Sequence, residues 1–341
     1  MKCAWIKYFP ILGILLFFSC KNNNGNAPAS GTDPVFSSDP RLKKITEQID
    51  KSPKDAALYF ERGHMLHKIK LDTLALKDYK MAATLDTSQA QYYSAIGDLL
   101  FENKDVTGSI EWIKKAIAKN PEDPKAHLKI AKLFLCLKDY PHAFGEINIA
   151  LRHNPHNAEG YFLKGMVYKD MKDTAQAMSG FETARQEDPD YRDAIIQLGL
   201  LYSAKNNPIA LKYFDDAYSK DSTDVMPVFA KGVFYQNNKE DAKAKEEYKK
   251  CIMQNNHYIE AFFNMGYMLM QEDSVEKSYR QYDLVTKISP LNAAAYFNRG
   301  LCNEMMNKPK EAVADYRQAH GLDTAYDRPK EALKRLGVTM K

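Results

Sequence analysis

From about Ala56 onward, apolar residues recur with the period of a helix, and the pattern itself repeats. A small residue stands at Gly63, Gly97, Ala131, Gly165, Gly199, Gly232, Gly266 and Gly300, at a spacing of about 34 residues that shortens by one only between Gly199 and Gly232. Four residues before each lies Tyr59, Tyr93, His127, Tyr161, Ile195, Val228, Phe262 or Tyr296, and three after it the series runs from Leu66 to Asn303. These offsets line one face of a helix. A second helix follows in every unit. It is marked by Ala75, Ser109, Ala143, Ala177, Ala210, Ala244, Ser278 and Ala312, with a bulky residue four positions on, from Tyr79 and Ile113 to Tyr282 and Tyr316. Three further on the series is mostly small, from Ala82 to Ala319. Small residues at facing positions let two antiparallel helices approach closely, and the aromatics are expected to fill the space between consecutive pairs.

Each second helix runs into a stop. Pro121, Pro155, Pro189 and Pro290 supply it in four units, and Thr87, Ser222, Asn256 and Thr324 in the others; proline cannot extend the preceding helix, and the polar residues offer capping oxygens. The one shortened interval comes from the short Asn206-Asn207-Pro208 turn. Three departures predict less regular packing in the third, seventh and eighth units: His127 replaces an aromatic, Val285 a small residue and Asn303 an apolar one. Flanking segments carry Leu42, Ile45 and Ile49, and Ala332, Leu333 and Leu336, at helical spacing. A repeat array exposes apolar surface at its ends unless capped, so both read as capping helices.

The pattern resembles the tetratricopeptide repeat, a helix-turn-helix unit of about 34 residues. The resemblance implies an all-α, right-handed α-solenoid of eight units over residues 56–326, with capping helices over 40–55 and 327–341. It also implies a concave wall built mainly from the first helix of each unit, at its second, fifth, ninth, twelfth and thirteenth positions. In the first five units those positions are mixed, with His64, His67, Asp98, Glu102 and Lys132 beside Phe60 and Phe162. In the last three they are nearly all apolar, including Phe229, Val233, Phe263, Tyr267, Met270, Phe297 and Leu301. Methionine and aromatic side chains on an open groove suit a peptide or an amphipathic helix of a partner protein, so these seven form the candidate binding groove. The other reading of the same stripe, that phenylalanine at the fifth position packs chiefly as core, stays open. Some relatives grip a chaperone's terminal carboxylate with Lys and Asn; Phe60, Glu61 and His64 stand there instead, so that activity is not carried over.

The first residues read as an address. Lys2 and Lys7 precede the uncharged run Tyr8 to Phe18, which ends in Ser19-Cys20 and a polar stretch. A charged start, a short apolar middle and a small residue at the exit make an export signal over residues 1–19. With a cysteine directly after the small residue, the segment resembles the signal of bacterial lipoproteins, which implies acylation of Cys20 and a lipid anchor in the envelope, at the outer membrane facing the periplasm. An ordinary secretory signal with an incidental cysteine is the other reading. Residues 20–39 are dominated by Asn, Gly, Ala, Pro, Ser, Thr and Asp, the composition of a tether.

Composition narrows the function. The 48 basic and 44 acidic residues leave +4, and 46 against 44 once Lys2 and Lys7 are removed, too balanced for the basic field of a nucleic-acid binder. Five scattered cysteines include no CxxC pair, and neither the GxGxxG, GxxxxGK[ST] nor GxSxG sequence occurs. Glu61, His64 and His67 share a helix face, yet zinc wants four placed ligands, and groove-lining polar side chains are the favoured reading. No cofactor or metal and no catalytic residue is expected, and signal, tether, caps and repeats leave no segment for a catalytic domain. The expected function is a protein-binding scaffold in the bacterial envelope. The alternative is an accessory, regulatory subunit of an envelope enzyme complex.

Overall fold

The structure, a computed structural model, describes residues 39–338 together with Phe36. The signal, Cys20 and the chain up to residue 35 lie outside the described residues. Within them are eighteen α-helices and no strand, falling into two units that divide between Glu187 and Asp188.

The first unit begins with α1 (Pro40–Lys51). Four hairpins follow: α2 (Ala56–Lys68) with α3 (Asp72–Leu85), α4 (Ala90–Glu102) with α5 (Val106–Lys119), α6 (Pro124–Cys136) with α7 (Tyr140–His153), and α8 (Ala158–Asp170) with α9 (Thr174–Glu187). The second unit pairs α10 (Arg192–Ala204) with α11 (Ile209–Lys220), α12 (Met226–Asn237) with α13 (Asp241–Gln254), α14 (Ile259–Gln271) with α15 (Val275–Ile288), and α16 (Ala293–Met305) with α17 (Pro309–Leu322), and closes with α18 (Asp327–Arg335). Inside each unit the second helix of a hairpin packs on the first helix of the next, and first helices also touch, α6 against α8 and α10 against α12. Each unit is a solenoid-like stack of four helix-turn-helix units closed by one extra helix. No helix among the described residues is long and apolar enough to cross a membrane.

Local chemistry sets the helix ends. Asp55, Asp123, Asn157 and Asn292 cap first helices by accepting from backbone N–H groups of the opening turn, and Asp105 and Asp139 do so for second helices. Every first helix stops in the same way. A residue in the left-handed region follows it, Lys70, Lys104, Lys138, Lys172, Asn206, Lys239, Asp273 or Asn307, each at φ between 52° and 67°. Its N–H, and that of the next residue, reach back to carbonyls of the last turn, as in Lys70 N to His67 O at 2.9 Å and Leu71 N to Leu66 O at 2.9 Å. This is a Schellman stop, usually made with glycine, here made with five lysines, two asparagines and one aspartate.

The recurrent glycine works differently from the sequence expectation. A Cβ on Gly63 would lie 2.6 Å from the Tyr79 ring, one on Gly165 2.7 Å from Phe181, and one on Gly232 2.5 Å from Tyr248. The bulky residue therefore lies across the glycine of its own hairpin, and Tyr248 extends from there to Asn264 and the core residues Ala261 and Met268 of the next. The bare glycine backbone is the seat of the ring, and Tyr79, Phe181 and Tyr248 are buried there.

The three departures are absorbed without loss of packing: His127, Val285 and Asn303 are all buried. Tyr59 and Tyr93 donate to the carbonyls of Pro53 and Thr87, each six residues earlier, at 3.2 and 3.3 Å. His127 Nε2 lies 2.9 Å from the Pro121 carbonyl, again six residues earlier, so the imidazole replaces the phenol in a repeated bond; Nδ1 meets Glu146 at 2.6 Å. Asn303 donates to Asp315 at 3.0 Å.

A guanidinium forked onto a carboxylate recurs in the first and the last hairpin. Arg62 is 1% exposed and forks onto Asp78 at 2.6 and 2.8 Å, with the Phe36 ring 4.7 Å from its guanidinium carbon. Phe36, placed within the tether by composition, is itself buried and belongs to the core of the first hairpins. In the last hairpin the half-buried Arg299 forks onto Asp315 at 3.1 and 2.6 Å and reaches Asp283 at 2.7 Å.

Candidate functional site

In the second unit, the residues expected to line the groove come from α12, α14 and α16. On α14, Glu260, Phe263, Tyr267 and Met270 stand at i, i+3, i+7 and i+10 and share one face. Phe263 is half-buried, its ring edge-on to Tyr282 with centroids 5.3 Å apart, and Tyr267 is 48% exposed. Phe229 and Val233 of α12 are half-buried, with the Phe229 ring between Tyr248 at 5.6 Å and Tyr258 at 5.3 Å. Leu301 is half-buried and Met305, beyond it on α16, is 52% exposed.

Phe297 departs from this pattern. It is 3% exposed, set between Tyr316 and Tyr326, with the Arg328 guanidinium 4.7 Å above its ring. The closing helix α18 and the turn before it cover a ring that its repeat position would leave open, so Phe297 is core and offers a visitor almost nothing.

The seated tyrosines connect the core to this wall. Because Gly232 lets the Tyr248 ring cross the first helix, its hydroxyl emerges beside α12 and α14, donating to Gln236 at 2.6 Å and accepting from Asn264 at 3.1 Å. Burial pushes this phenol up to about 12, so it stays a neutral hydrogen-bonding group. Tyr316 repeats the arrangement with Glu304, at 2.7 Å.

Charge on the wall is sparse and one-sided. Lys231 is held by Asp215 at 2.7 Å, Arg299 by Asp283 and Asp315, and Arg335 by Glu304 at 2.7 Å. Asp193 and Glu260 are exposed, at the start of α10 and α14, and neither has an ion-pair partner among the described residues. The arrangement can hold an apolar segment. Burial pushes the Cys251 thiol up to about 12 and the Cys302 thiol upward as well, which keeps both protonated and poor as nucleophiles.

The first unit has a wall of different character. A depression of about 400 Å³ is lined by Phe60 and His64 of α2, Ser94 and Asp98 of α4, and Lys125 and Lys129 of α6, among others. Within it Lys129 pairs with Asp98 at 2.5 Å, and elsewhere in the unit Lys132 pairs with Glu159. His64 is bonded through Nδ1 to the Tyr79 hydroxyl at 2.9 Å, and burial, with the His67 charge second, holds its pKa below the ordinary value. His67 turns to Asp72 at 2.8 Å. Among the described residues no group of His, Cys, Asp and Glu is arranged to hold a metal ion. Sequence reasoning assigned Phe60, His64 and Asp98 to the groove but missed that they close a depression with Ser94 and Lys129. It also missed a second hollow of about 370 Å³ on α11, α12 and α13, where Lys231 lies between Asp215 and Glu247 beside the 75% exposed Met253. The signal available was that Lys231 stands midway along the chain between those two acids, one on the helix before its own and one on the helix after.

Fold and wall together define a class: a helical-repeat protein with a largely apolar face on the first helices of its second unit. The family model of the tetratricopeptide repeat matches residues 158–191, 228–258 and 293–326. No curated protein matches the chain. Among solved structures, the C-terminal part of a repeat-containing protein from Cytophaga hutchinsonii is similar with a TM-score of 0.54 at 20% identity, over 72% of this chain and 99% of that one. A tetratricopeptide repeat protein from Parabacteroides merdae is similar at 0.53 and 16% identity, over 73% and 98%. A chain of the Cut9–Hcn1 hetero-tetramer of the APC/C is similar at 0.53 and 14% identity over 86% of this chain, which spans only 58% of that one. At these identities the likeness is one of fold alone.

Proposed function

We propose that the protein is a scaffold that holds a peptide or helical segment of another protein against the inner wall of its second unit. The observation that carries this is the row of partly covered apolar side chains there: Phe229, Val233, Phe263, Met270 and Leu301 are half-buried and Tyr267 is exposed. Large, adaptable side chains on a preformed surface bind with little ordering of the backbone. The tetratricopeptide-repeat fold supports the same reading, because that fold serves in general as a non-catalytic interaction surface. The setting proposed is the bacterial envelope, at the outer membrane facing the periplasm, with Cys20 as the lipid attachment. Its support is the sequence of residues 1–20.

Crosslinking and co-purification from cells, with the native chain and with Tyr267→Asp/Met270→Asp, tests the groove. Both side chains are on the open face, so the variant folds and loses its partner; equal recovery with either protein defeats the assignment. Replacing Cys20 by Ser releases the protein from membranes, and undiminished membrane association of that variant defeats the anchor.

A further inference from the structure

The second unit's wall is uncovered in one chemical sense beyond its apolarity: its unmatched charge is acidic. Asp193 begins the apolar stripe of α10 that continues through Ile196 and Leu200, and Glu260 begins the stripe of α14 that continues through Phe263 and Tyr267. Every cation on the four first helices α10, α12, α14 and α16 is already engaged, Arg192 with Asp224 among them. Lys231, Arg299 and Arg335 hold carboxylates, and Arg328 lies on the Phe297 ring.

That last contact shows what the wall accepts. Glu260 occupies the same place in the chain relative to Phe229 that Arg328 occupies relative to Phe297. At the closed end of the unit the chain sets its own guanidinium over the ring, 4.7 Å away. One repeat inward, Ala294 takes that place after Phe263, and one repeat further in, Glu260 takes it after Phe229. The inner rings therefore have no cation of their own, and the position that would supply one to Phe229 carries a carboxylate. A cation arriving there meets a ring face and an opposite charge together, two attractions that act in the same direction.

Resting on the groove reading above, we infer that this wall selects an amphipathic segment whose apolar face is flanked by lysine or arginine. Acidic segments are turned away, because nothing on the wall is free to pair with them and Asp193 and Glu260 repel them.

The test uses the full chain and three labelled helical peptides of about 18 residues with the same Leu and Phe positions, carrying Lys, Gln or Glu on their polar face. Affinities are measured by fluorescence anisotropy at about 50 mM and about 500 mM salt. The Lys peptide binds roughly tenfold tighter than the Gln peptide at low salt, the Glu peptide binds weakest, and high salt narrows the spread. In Asp193→Asn/Glu260→Gln the ranking disappears while the Gln peptide keeps its affinity. A Glu peptide that binds as well as the Lys peptide, or a ranking that survives this variant, overturns the charge selection and leaves the groove standing. All three peptides binding Tyr267→Ser/Met270→Ser as tightly as the native chain, or none binding the native chain at all, overturns the groove and the charge selection with it.

Discussion

The turns inside the hairpins hold removable strain. Lys70, Lys104, Lys138 and Lys172 stand at φ of 64°, 67°, 59° and 66°, a region that costs an L-residue with a Cβ roughly 1–2 kcal/mol. None of the four side chains makes an ion pair or a hydrogen bond among the described residues. Glycine relieves the strain but gives up about 0.5–1 kcal/mol in the greater freedom of the unfolded chain. The net is a gain of about 0.5–1 kcal/mol per Lys→Gly change, and because the four turns belong to different hairpins, about 2–4 kcal/mol for all four. In a unit of this size that raises the melting temperature by about 2–4 °C for each kcal/mol. Urea unfolding followed by helical circular dichroism gives the second readout: the midpoint rises and the slope does not change. Asn206, Asp273 and Asn307, at 52°, 54° and 58°, supply the internal control, since Asn and Asp tolerate this region and gain less on becoming glycine. Unmoved or lowered midpoints for the lysine changes, or equal gains at the Asn and Asp sites, refute the argument from strain.

Other expectations follow from single contacts. Gly232→Ala drives a methyl to 2.5 Å from the buried Tyr248 ring and costs about 1–3 kcal/mol, whereas Gly145→Ala, on an open face of α7, gains about 0.5–1 kcal/mol; thermal melts give both signs. Arg62→Met strands the buried Asp78 carboxylate and costs about 3–5 kcal/mol in chemical denaturation, while adding Asp78→Leu restores most of it. Burial pushes the Asp283 carboxyl up, but hydrogen bonds from Lys287 and Arg299 outweigh it and hold the pKa below the ordinary value. The resulting stability is present above the unfolded value and is lost as pH falls through the lower folded value, so below about pH 4 the native chain loses melting temperature faster than Asp283→Asn. His127→Tyr keeps the bond to the Pro121 carbonyl and is at least about 1 kcal/mol more stable than His127→Phe in chemical denaturation.

The number, length and pairing of the helices were legible because burial follows the repeat: Ala75, Tyr79 and Ala82 in the first hairpin, and their counterparts Ala312, Tyr316 and Ala319 in the last, are all buried. What escaped was chemistry that hydrophobic patterning does not encode. His127 looked like a defect, since a hydrogen bond to a carbonyl six residues back leaves no trace in apolar periodicity. The left-handed turns carry lysine where glycine would have announced them. Where the tyrosines sit depends on which atoms face a bare Cα, and spacing alone could not separate their own hairpin from the next. The candidate wall was readable from repeat position in the interior of the unit and failed at its end, because Phe297 is covered by Tyr326 and by Arg328 of the closing helix, and repeat position alone does not say what side chain the closing helix lays on the ring.

Phe36 sets a practical boundary for handling this protein in the laboratory. A recombinant version trimmed to Pro40, where the first regular helix opens, would discard the ring that lies against Arg62 and admit water to the fork between Arg62 and Asp78. Cloning from upstream of Phe36 keeps that plug. The same residue shortens whatever leash a lipid at Cys20 provides: the stretch from Cys20 to Phe36 reaches at most about 55 Å when fully drawn out. Partners captured by such an anchored array would be held close to the bilayer, on a line no longer than that leash and the body of the repeat together.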